Sequence, residues 1–410
     1  MMYFAILYFL FINKKSKVVL LLFSMILFTL IIGYVIDKVP LVTDIIDFLI
    51  MCYTSLILGL LIHGFNKYQD FNEVLSYKKD YRFKLFIRLF IIIGLFTFAV
   101  NLYIGFKAFG ALFAESINVQ EYKNEGEASD FLVKWVGRIP LFLSRFFSPI
   151  GFLAIGFHFY FLIKRKIVLS VLSLIISFNI PLLGFHGLSR AAATQYLLIY
   201  FSYFFYSYNS LTKGVKKIMF IFGFSIIVIA AFLLNTITES RFSKYYYIPP
   251  KSQIQDPVLY STLDYLSQWN FNSSQVLKNY SIDKLMFGRA NVPIISFVGE
   301  RLGFDYESLS ELRYQSLGVK FDGTFNGVVA TIVYDFGFFF TFIIAFLFYI
   351  VVKRCAPKNG KIHIHKFLAF GLIIPLPLMF FTNSAYSYIS INLAIIYLFI
   401  IGFLMKIKKI

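Results

Sequence analysis

Charge is scarce in this sequence. Asp, Glu, Lys and Arg supply 15% of its 410 residues, where a soluble domain carries about a quarter. Cysteine is sparser still: Cys52 lies in an apolar run and Cys355 in a basic loop, which gives no disulfide framework. No GxxxxGK[ST] loop is present, which argues against ATP-driven transport by this chain. No HExxH motif and no Cys/His cluster with ligand spacing occurs, so neither a structural nor a catalytic zinc is expected.

What fills the chain instead is apolar: 59% hydrophobic residues, 20% aromatic. Several runs exceed the roughly 18 apolar residues that mark a spanning helix. Spans are expected near 18–36, 48–65, 85–106, 147–163, 167–184, 189–207, 218–236, 327–351, 367–384 and 388–405, with a short run at 2–13. That run lacks the charged start and small-residue cleavage site of a secretory signal, so it is expected to stay in the mature protein. The fold class is all-α, a polytopic transmembrane helical bundle of ten or eleven spans.

The net charge of +18 resolves once it is mapped. Basic residues gather in alternate loops at 14–17, 164–166, 213–217, 353–366 and 406–409. The positive-inside rule puts these loops, and the C-terminus, in the cytoplasm. The basicity is therefore a topology signal with anionic membrane lipid as its partner, not a nucleic-acid site. Three regions follow: an N-terminal membrane part over 1–236 with an external loop at 107–146, a large external cap over 237–326, and C-terminal membrane helices over 327–410.

The 237–326 loop balances nine basic against nine acidic residues and is too long to be a simple connection. Within it, VLYSTLDYLSQW (258–269) repeats Leu259, Leu263 and Leu266 at helical spacing. In SLSELRYQSL, Ser308 and Glu311 have the spacing of a capping box. The loop is expected to fold as an external cap with short helices, resting on the bilayer surface.

Arginines on the exterior side are the first candidates for chemistry, because they oppose the usual charge bias. Arg138 and Arg145 lie in the earlier loop, Arg190 opens a span, and Arg241 follows another in TESRFSK. Arg289 (MFGRANVP), Arg301 (GERLGF) and Arg313 (SELRYQ) lie in the cap. A guanidinium offers a planar fork of donors suited to phosphate oxygens, and at a membrane exterior the matching ligand is a lipid-linked phosphate or pyrophosphate. For each arginine the competing explanation is snorkelling to ordinary headgroups. Arg190 is followed by AAATQ, small residues that permit close helix packing, so it is suited to face inward. His186, four residues earlier, is a candidate base, a donor to a sugar hydroxyl, or an interfacial cap.

A second cluster is GTFNGVVATIVYDFGFFFTF (323–342). Thr324 and Asn326 stand at the mouth of a span and Asp335 lies inside it. An intramembrane carboxylate is a functional candidate by default; a structural or electrostatic role is favoured here over proton transfer. If hydrocarbon begins at Asn326, Asp335 lies roughly 13 Å deep. FFTNSAYSYISIN (380–392) forms a polar hairpin suited equally to a sugar ring or to an interfacial aromatic belt. His363 and His365, in KIHIHK, lack carboxylate or cysteine company. The external loops hold no Asp-x-Asp pair, so any sugar donor used there is expected not to be nucleotide-activated.

The spans, the SRAA at the start of a mid-chain span, the large late external loop and the T-x-N…YDFG helix together resemble Wzy-type oligosaccharide repeat unit polymerases, the O-antigen and capsule polymerases of bacteria. The likeness covers most of the chain as architecture and is specific around Ser189–Arg190 and Thr324–Gly337. It implies a GT-C-like membrane glycosyltransferase, free of metal and cofactor, on the outer face of the bacterial cytoplasmic membrane. It also implies an undecaprenyl-pyrophosphate-linked oligosaccharide as donor, a second lipid-linked repeat unit as acceptor, and a chain-length regulator and flippase as associated proteins. The resemblance implies function for the external arginines, here Arg190 and Arg241 as catalytic residues and Arg289 as substrate-binding. From the residues themselves, His186 is the first candidate base and Asp322 a weaker one, and Arg313, Thr324, Asn326 and Asp335 are candidate substrate-binding positions. The alternatives are an O-antigen ligase, a transporter or flippase of lipid-linked oligosaccharide, and a non-catalytic scaffold.

Overall fold

The computed structural model describes residues 8, 12, 16–38, 42–77, 81–113, 128–186, 190–221, 223, 225, 248, 252–304, 311–312, 314–315 and 324–406. A backbone surrounded by lipid must satisfy its hydrogen bonds within its own segment, and the chain is accordingly mostly helical. In order come α1 (Lys17–Val35), α2 (Ile45–His63), β1 (Glu73–Leu75), α3 (Tyr81–Phe113), α4 (Ala128–Val136), α5 (Arg138–Phe147), α6 (Ile150–Ile163), α7 (Ile167–Ser177), α8 (Asn179–Phe185) and α9 (Arg190–Ser207). They are followed by α10 (Pro257–Lys278), α11 (Ile294–Arg301), α12 (Gly327–Cys355), β2 (Lys361–His363), α13 (Ile364–Ile373), α14 (Pro375–Leu378) and α15 (Ile389–Lys406).

Among the described residues, five helical segments are long and apolar enough to cross a membrane: Lys17–Val35, Ile45–Lys67, Tyr81–Ala108, Ile167–Gly184 and Gly327–Cys355. A sixth is added if α5 and α6, bent by 50° at their junction, count as one span. The chain is a multi-pass membrane protein. The remaining expected spans differ for identifiable reasons. α9 matches 189–207 in extent, but Arg190, Gln195 and its tyrosines dilute its hydropathy. Ile364–Leu378 and Ile389–Met405 are apolar but shorter, and the runs at 2–13 and 218–236 fall largely outside the described residues.

Helix starts follow local chemistry. Ser16 accepts from the Val19 N–H, Asp44 from the Asp47 N–H, and Asp256 from the Leu259 N–H ahead of Pro257. Each fills a donor that the first turn leaves open.

Two compact units make up the chain. The first is Met1–Gln69, Tyr246–Ala356 and Ile374–Asn392, in which α10 packs on α1, α2 and α12. The Trp269 indole donates to Thr29 Oγ1 at 3.3 Å and meets Phe380 edge-on. Ion pairs tie α10 at two places: Asp264 to Lys38 at 3.4 Å, and Lys278 to Asp44 at 2.8 Å and Asp47 at 3.0 Å. The helix expected over 258–269 is present, but its leucine face is not the buried one. Leu259 is 50% exposed, whereas Ser261, Asp264, Ser267 and Asn270 are buried. Small polar residues let α10 approach α1 closely, with Ser267 against Gly33. The capping box at Ser308 lies outside the described residues.

The second unit is Asp70–Tyr245, Pro357–Ile373 and Leu393–Ile410. Its strands pair in parallel, Val74 opposite Ile362, with Glu73 flanked by Lys361 at 3.5 Å and Lys164 at 3.9 Å. Within its helices, Asn101 of α3 donates to Ser148 Oγ and to Asn179 Oδ1, both at 2.8 Å, and accepts from Ser144. Ser148 and Asn179 stand where α5 gives way to α6 and α7 to α8. Buried polar side chains gather at the breaks and satisfy one another.

Candidate functional site

Helix α12 is not continuous. Gly337 has φ 80 and ψ 168, a conformation that only glycine enters without strain. The break takes the Tyr334 and Asp335 carbonyls out of the helical ladder, and a distant segment occupies them. The Met286 N–H donates to the Tyr334 carbonyl at 3.1 Å and the Gly288 N–H to the Asp335 carbonyl at 3.4 Å. The Asp335 side chain completes the junction. Its Oδ1 accepts from the Ala290 N–H at 3.2 Å, and its Oδ2 accepts from both the Asn291 N–H and Asn291 Nδ2 at 2.8 Å. Asn291 Nδ2 also donates to the Thr331 carbonyl at 3.1 Å.

The segment so held is a tight turn. Phe287 and Gly288 have φ 51 and 85, the signature of a type I′ turn, closed by the Arg289 N–H on the Met286 carbonyl at 3.1 Å. Arg289 is buried beside it and donates from Nε to Ser296 Oγ at 2.9 Å. Asp335 therefore fixes the backbone on either side of this arginine.

Burial changes abruptly at the break. Every residue from Gly327 to Asp335 is buried, whereas Phe339, Phe340, Phe342, Phe346, Leu347 and Val351 are exposed. An exposed apolar face of this length is a lipid-facing face. The 18 residues from Asp335 to the basic Lys353 rise roughly 27 Å, close to the ~30 Å of a hydrocarbon core. Asp335 thus borders the exposed face, at the ninth residue of the candidate span Gly327–Cys355.

At the start of α12, two separate motifs meet. Thr324 Oγ1 donates to Asn326 Oδ1 at 3.1 Å, the Asn326 N–H to Asn383 Oδ1 at 3.0 Å, and Asn383 Nδ2 to the Thr324 carbonyl at 3.1 Å. Asn272 of α10 donates to the Phe325 carbonyl at 3.0 Å. Thr324 and Asn326 thus bind the FFTNSAYSYISIN hairpin to the mouth of the helix.

The other candidates, Arg301 apart, belong to the second unit or lie outside the described residues. His186 is buried just beyond α8. Burial, and then the positive charge of Arg145, pull its pKa down to about 3. It is held neutral at physiological pH, and an imidazole with so low a pKa is a weak proton acceptor there. Arg190 is the first residue of α9. Arg241, Arg313 and Asp322 lie outside the described residues. Arg301 is exposed, with its guanidinium 3.7 Å over the Phe297 ring and Nη1 donating to the Phe297 carbonyl at 3.1 Å. Tyr77 Oη is 3.1 Å from His365 Nδ1. Among the described residues, no three His, Cys, Asp or Glu side chains gather to hold a metal.

Sequence reasoning missed Asn291, Asn383 and Asn272. Asn291 carries a local signal, standing two residues before Pro293 where turn chemistry is common; the other two carry none beyond polarity. No family model, curated protein or solved structure matches the chain.

Proposed function

We propose that this chain is a GT-C-like membrane glycosyltransferase of the bacterial cytoplasmic membrane, with its C-terminus in the cytoplasm. It joins undecaprenyl-pyrophosphate-linked oligosaccharide repeat units on the outer face. The observation that carries this reading is the anchored turn at Asp335. At the end of α12 opposite Lys353 and Arg354, a long connection is folded and pinned so that its arginine is held in a defined place. A phosphate-handling site at a membrane face needs that arrangement.

In the reaction, an acceptor hydroxyl attacks the anomeric carbon of the donor glycan. The carbon–oxygen bond to pyrophosphate breaks, the undecaprenyl pyrophosphate leaves with the bonding electrons, and the hydroxyl proton passes to a base or to water. Arg289 binds lipid-linked phosphate as a substrate-binding residue, and Arg190 and Arg241 are the clamp that interacts more strongly as the charge of the leaving pyrophosphate grows. His186, being neutral, serves as a hydrogen-bond donor to a hydroxyl rather than as the principal base. Thr324 and Asn326 hold the mouth of α12 within the first unit, since their polar groups are engaged with each other and with Asn383. Losing a preorganised donor of the clamp costs on the order of 100-fold in rate. Arg190→Ala and Arg241→Ala chains that express normally yet lengthen glycan at the parental rate would rule out the clamp.

One observation favours a second reading, a transporter of lipid-linked oligosaccharide: spans broken at polar residues, such as α12 at Gly337, are the usual form of transporter binding sites. Proteoliposomes separate the two. A transporter moves lipid-linked units across the bilayer without changing glycan length, and a polymerase lengthens the glycan.

A further inference from the structure

The segment 282–304 buries Met286 but turns most of its other large apolar side chains outward. Ile282 is 76% exposed, Phe287 77%, Leu302 72% and Phe304 60%, and Ile295, Phe297 and Val298 are exposed as well. The residues that α11 turns inward are small, Ser296 and Gly299. Ile295, Val298 and Leu302 recur at i, i+3 and i+7 and so form one stripe along the helix. A helix bathed in water does the reverse, burying such a stripe and exposing its small polar residues. Inside-out ordering is stable where the surrounding medium is itself apolar.

The position of the segment indicates the same medium. It is tied to α12 through Asp335. A Cβ placed on Gly288 would lie 3.2 Å from the Phe336 ring and 3.8 Å from Ile295, so the start of α11 lies beside the break in α12. The exposed Phe339 and Phe340 begin at that break, which makes the outward stripe continuous with a lipid-facing surface. Arg301 folds back over Phe297, keeping its charge at the edge of the stripe while its stem covers apolar surface.

We propose that residues 282–304 form an interfacial membrane anchor. Phe287 and the Ile295–Val298–Leu302 stripe dip into the leaflet beside the break in α12. With eight residues, α11 is far short of the ~20 a span requires, so it lies in the plane of the interface. The anchor holds the Asp335-bound turn, and with it Arg289, at headgroup depth, the level of a lipid-linked phosphate. That last consequence rests on the proposed function; the anchoring does not.

The test uses the full chain with Cys52→Ala and Cys355→Ser. Single substitutions Phe287→Cys, Leu302→Cys or Glu300→Cys are labelled with bimane in nanodiscs of phosphatidylcholine and phosphatidylglycerol. Nitroxide attached to the lipid near the acyl carbonyl is one quencher and aqueous iodide the other. Lipid nitroxide is expected to quench the labels at 287 and 302 about threefold more than the label at 300, with the order reversed for iodide. Iodide reaching all three sites equally would overturn the proposal. So would protection of 287 and 302 from both quenchers, which would mean that protein covers the stripe. Because a cysteine at 287 could loosen the turn, Leu302→Trp with brominated phosphatidylcholine, read as the quenching added over that of the parent's Trp135 and Trp269, repeats the measurement with the turn intact. Glycan transfer plays no part in the readout, so loss of the enzymatic reading would leave this result standing.

Discussion

The Asp335 carboxylate accepts two hydrogen bonds on a single oxygen, one from the Asn291 backbone N–H and one from the Asn291 side chain, both at 2.8 Å. Forty-four residues of sequence separate the two partners. This contact turns a span residue into the foundation of a loop, and it gives the buried carboxylate the donors that make its burial tolerable.

Asp335→Ala is expected to destabilise the first unit. The Ala290 and Asn291 donors lose their acceptor, and each buried donor left unpaired costs about 1–3 kcal/mol. Asp335→Asn keeps one acceptor oxygen and is expected to lose less. Thermal unfolding of the purified chain in detergent orders the three proteins; equal midpoints would show that the carboxylate does not hold the turn.

Gly337→Ala tests the break itself. The backbone there has φ 80 and ψ 168, and an added Cβ would stand 3.0 Å from the Tyr280 hydroxyl. Forcing an L-residue into this region costs on the order of 1–3 kcal/mol. The expected outcome is a lowered unfolding temperature together with faster hydrogen exchange at 286–291. An unchanged protein would mean that α12 straightens without penalty.

The ion pair between Lys278 and Asp44 sets a pH window. The Lys278 hydrogen bond holds the Asp44 carboxyl below its ordinary value, and the same bond raises Lys278. A lowered carboxylate stabilises fully above about pH 3.9, and that contribution fades as pH falls through the lowered value. A raised lysine stabilises fully below about pH 10.4 and loses its contribution as pH rises through the raised value. The stability difference between the parent and Lys278→Met should therefore be largest between these limits and shrink on both sides. A difference independent of pH would remove the electrostatic explanation.

His186 acts in the opposite sense to a paired histidine. Its folded pKa is depressed to about 3 by burial and by Arg145, so the neutral form is the folded form. Stability is complete above the unfolded value of about 6.5 and declines as pH falls from there toward the folded value. His186→Gln should lose less stability than the parent over that interval. Parallel pH profiles would show that the histidine is solvated.

Five of the ten or eleven expected spans, six with the bent α5–α6 pair, were legible because lipid imposes long apolar runs: the run at 18–36 became Lys17–Val35. The helix in VLYSTLDYLSQW was legible too, but its orientation was not. Amphipathic reasoning assumes water outside, and here Leu259 faces outward while Ser267 packs inward. The break at Gly337 was hidden because glycine is common in membrane helices. Asp335 stood out as a charge in a span, yet nothing local pointed to Asn291 as its partner. The pairing of Asn383 with Thr324 and Asn326 joined two motifs that sequence order keeps apart.

The most direct test of the central claim is reconstitution. The purified full chain is placed in liposomes with a synthetic undecaprenyl-pyrophosphate-linked repeat unit as the only glycan, and the products are resolved by length. A ladder of two, three and more repeats on lipid is expected, its formation slowed on the order of 100-fold by Arg190→Ala. Single repeats left unextended by the active, folded parent chain would contradict it.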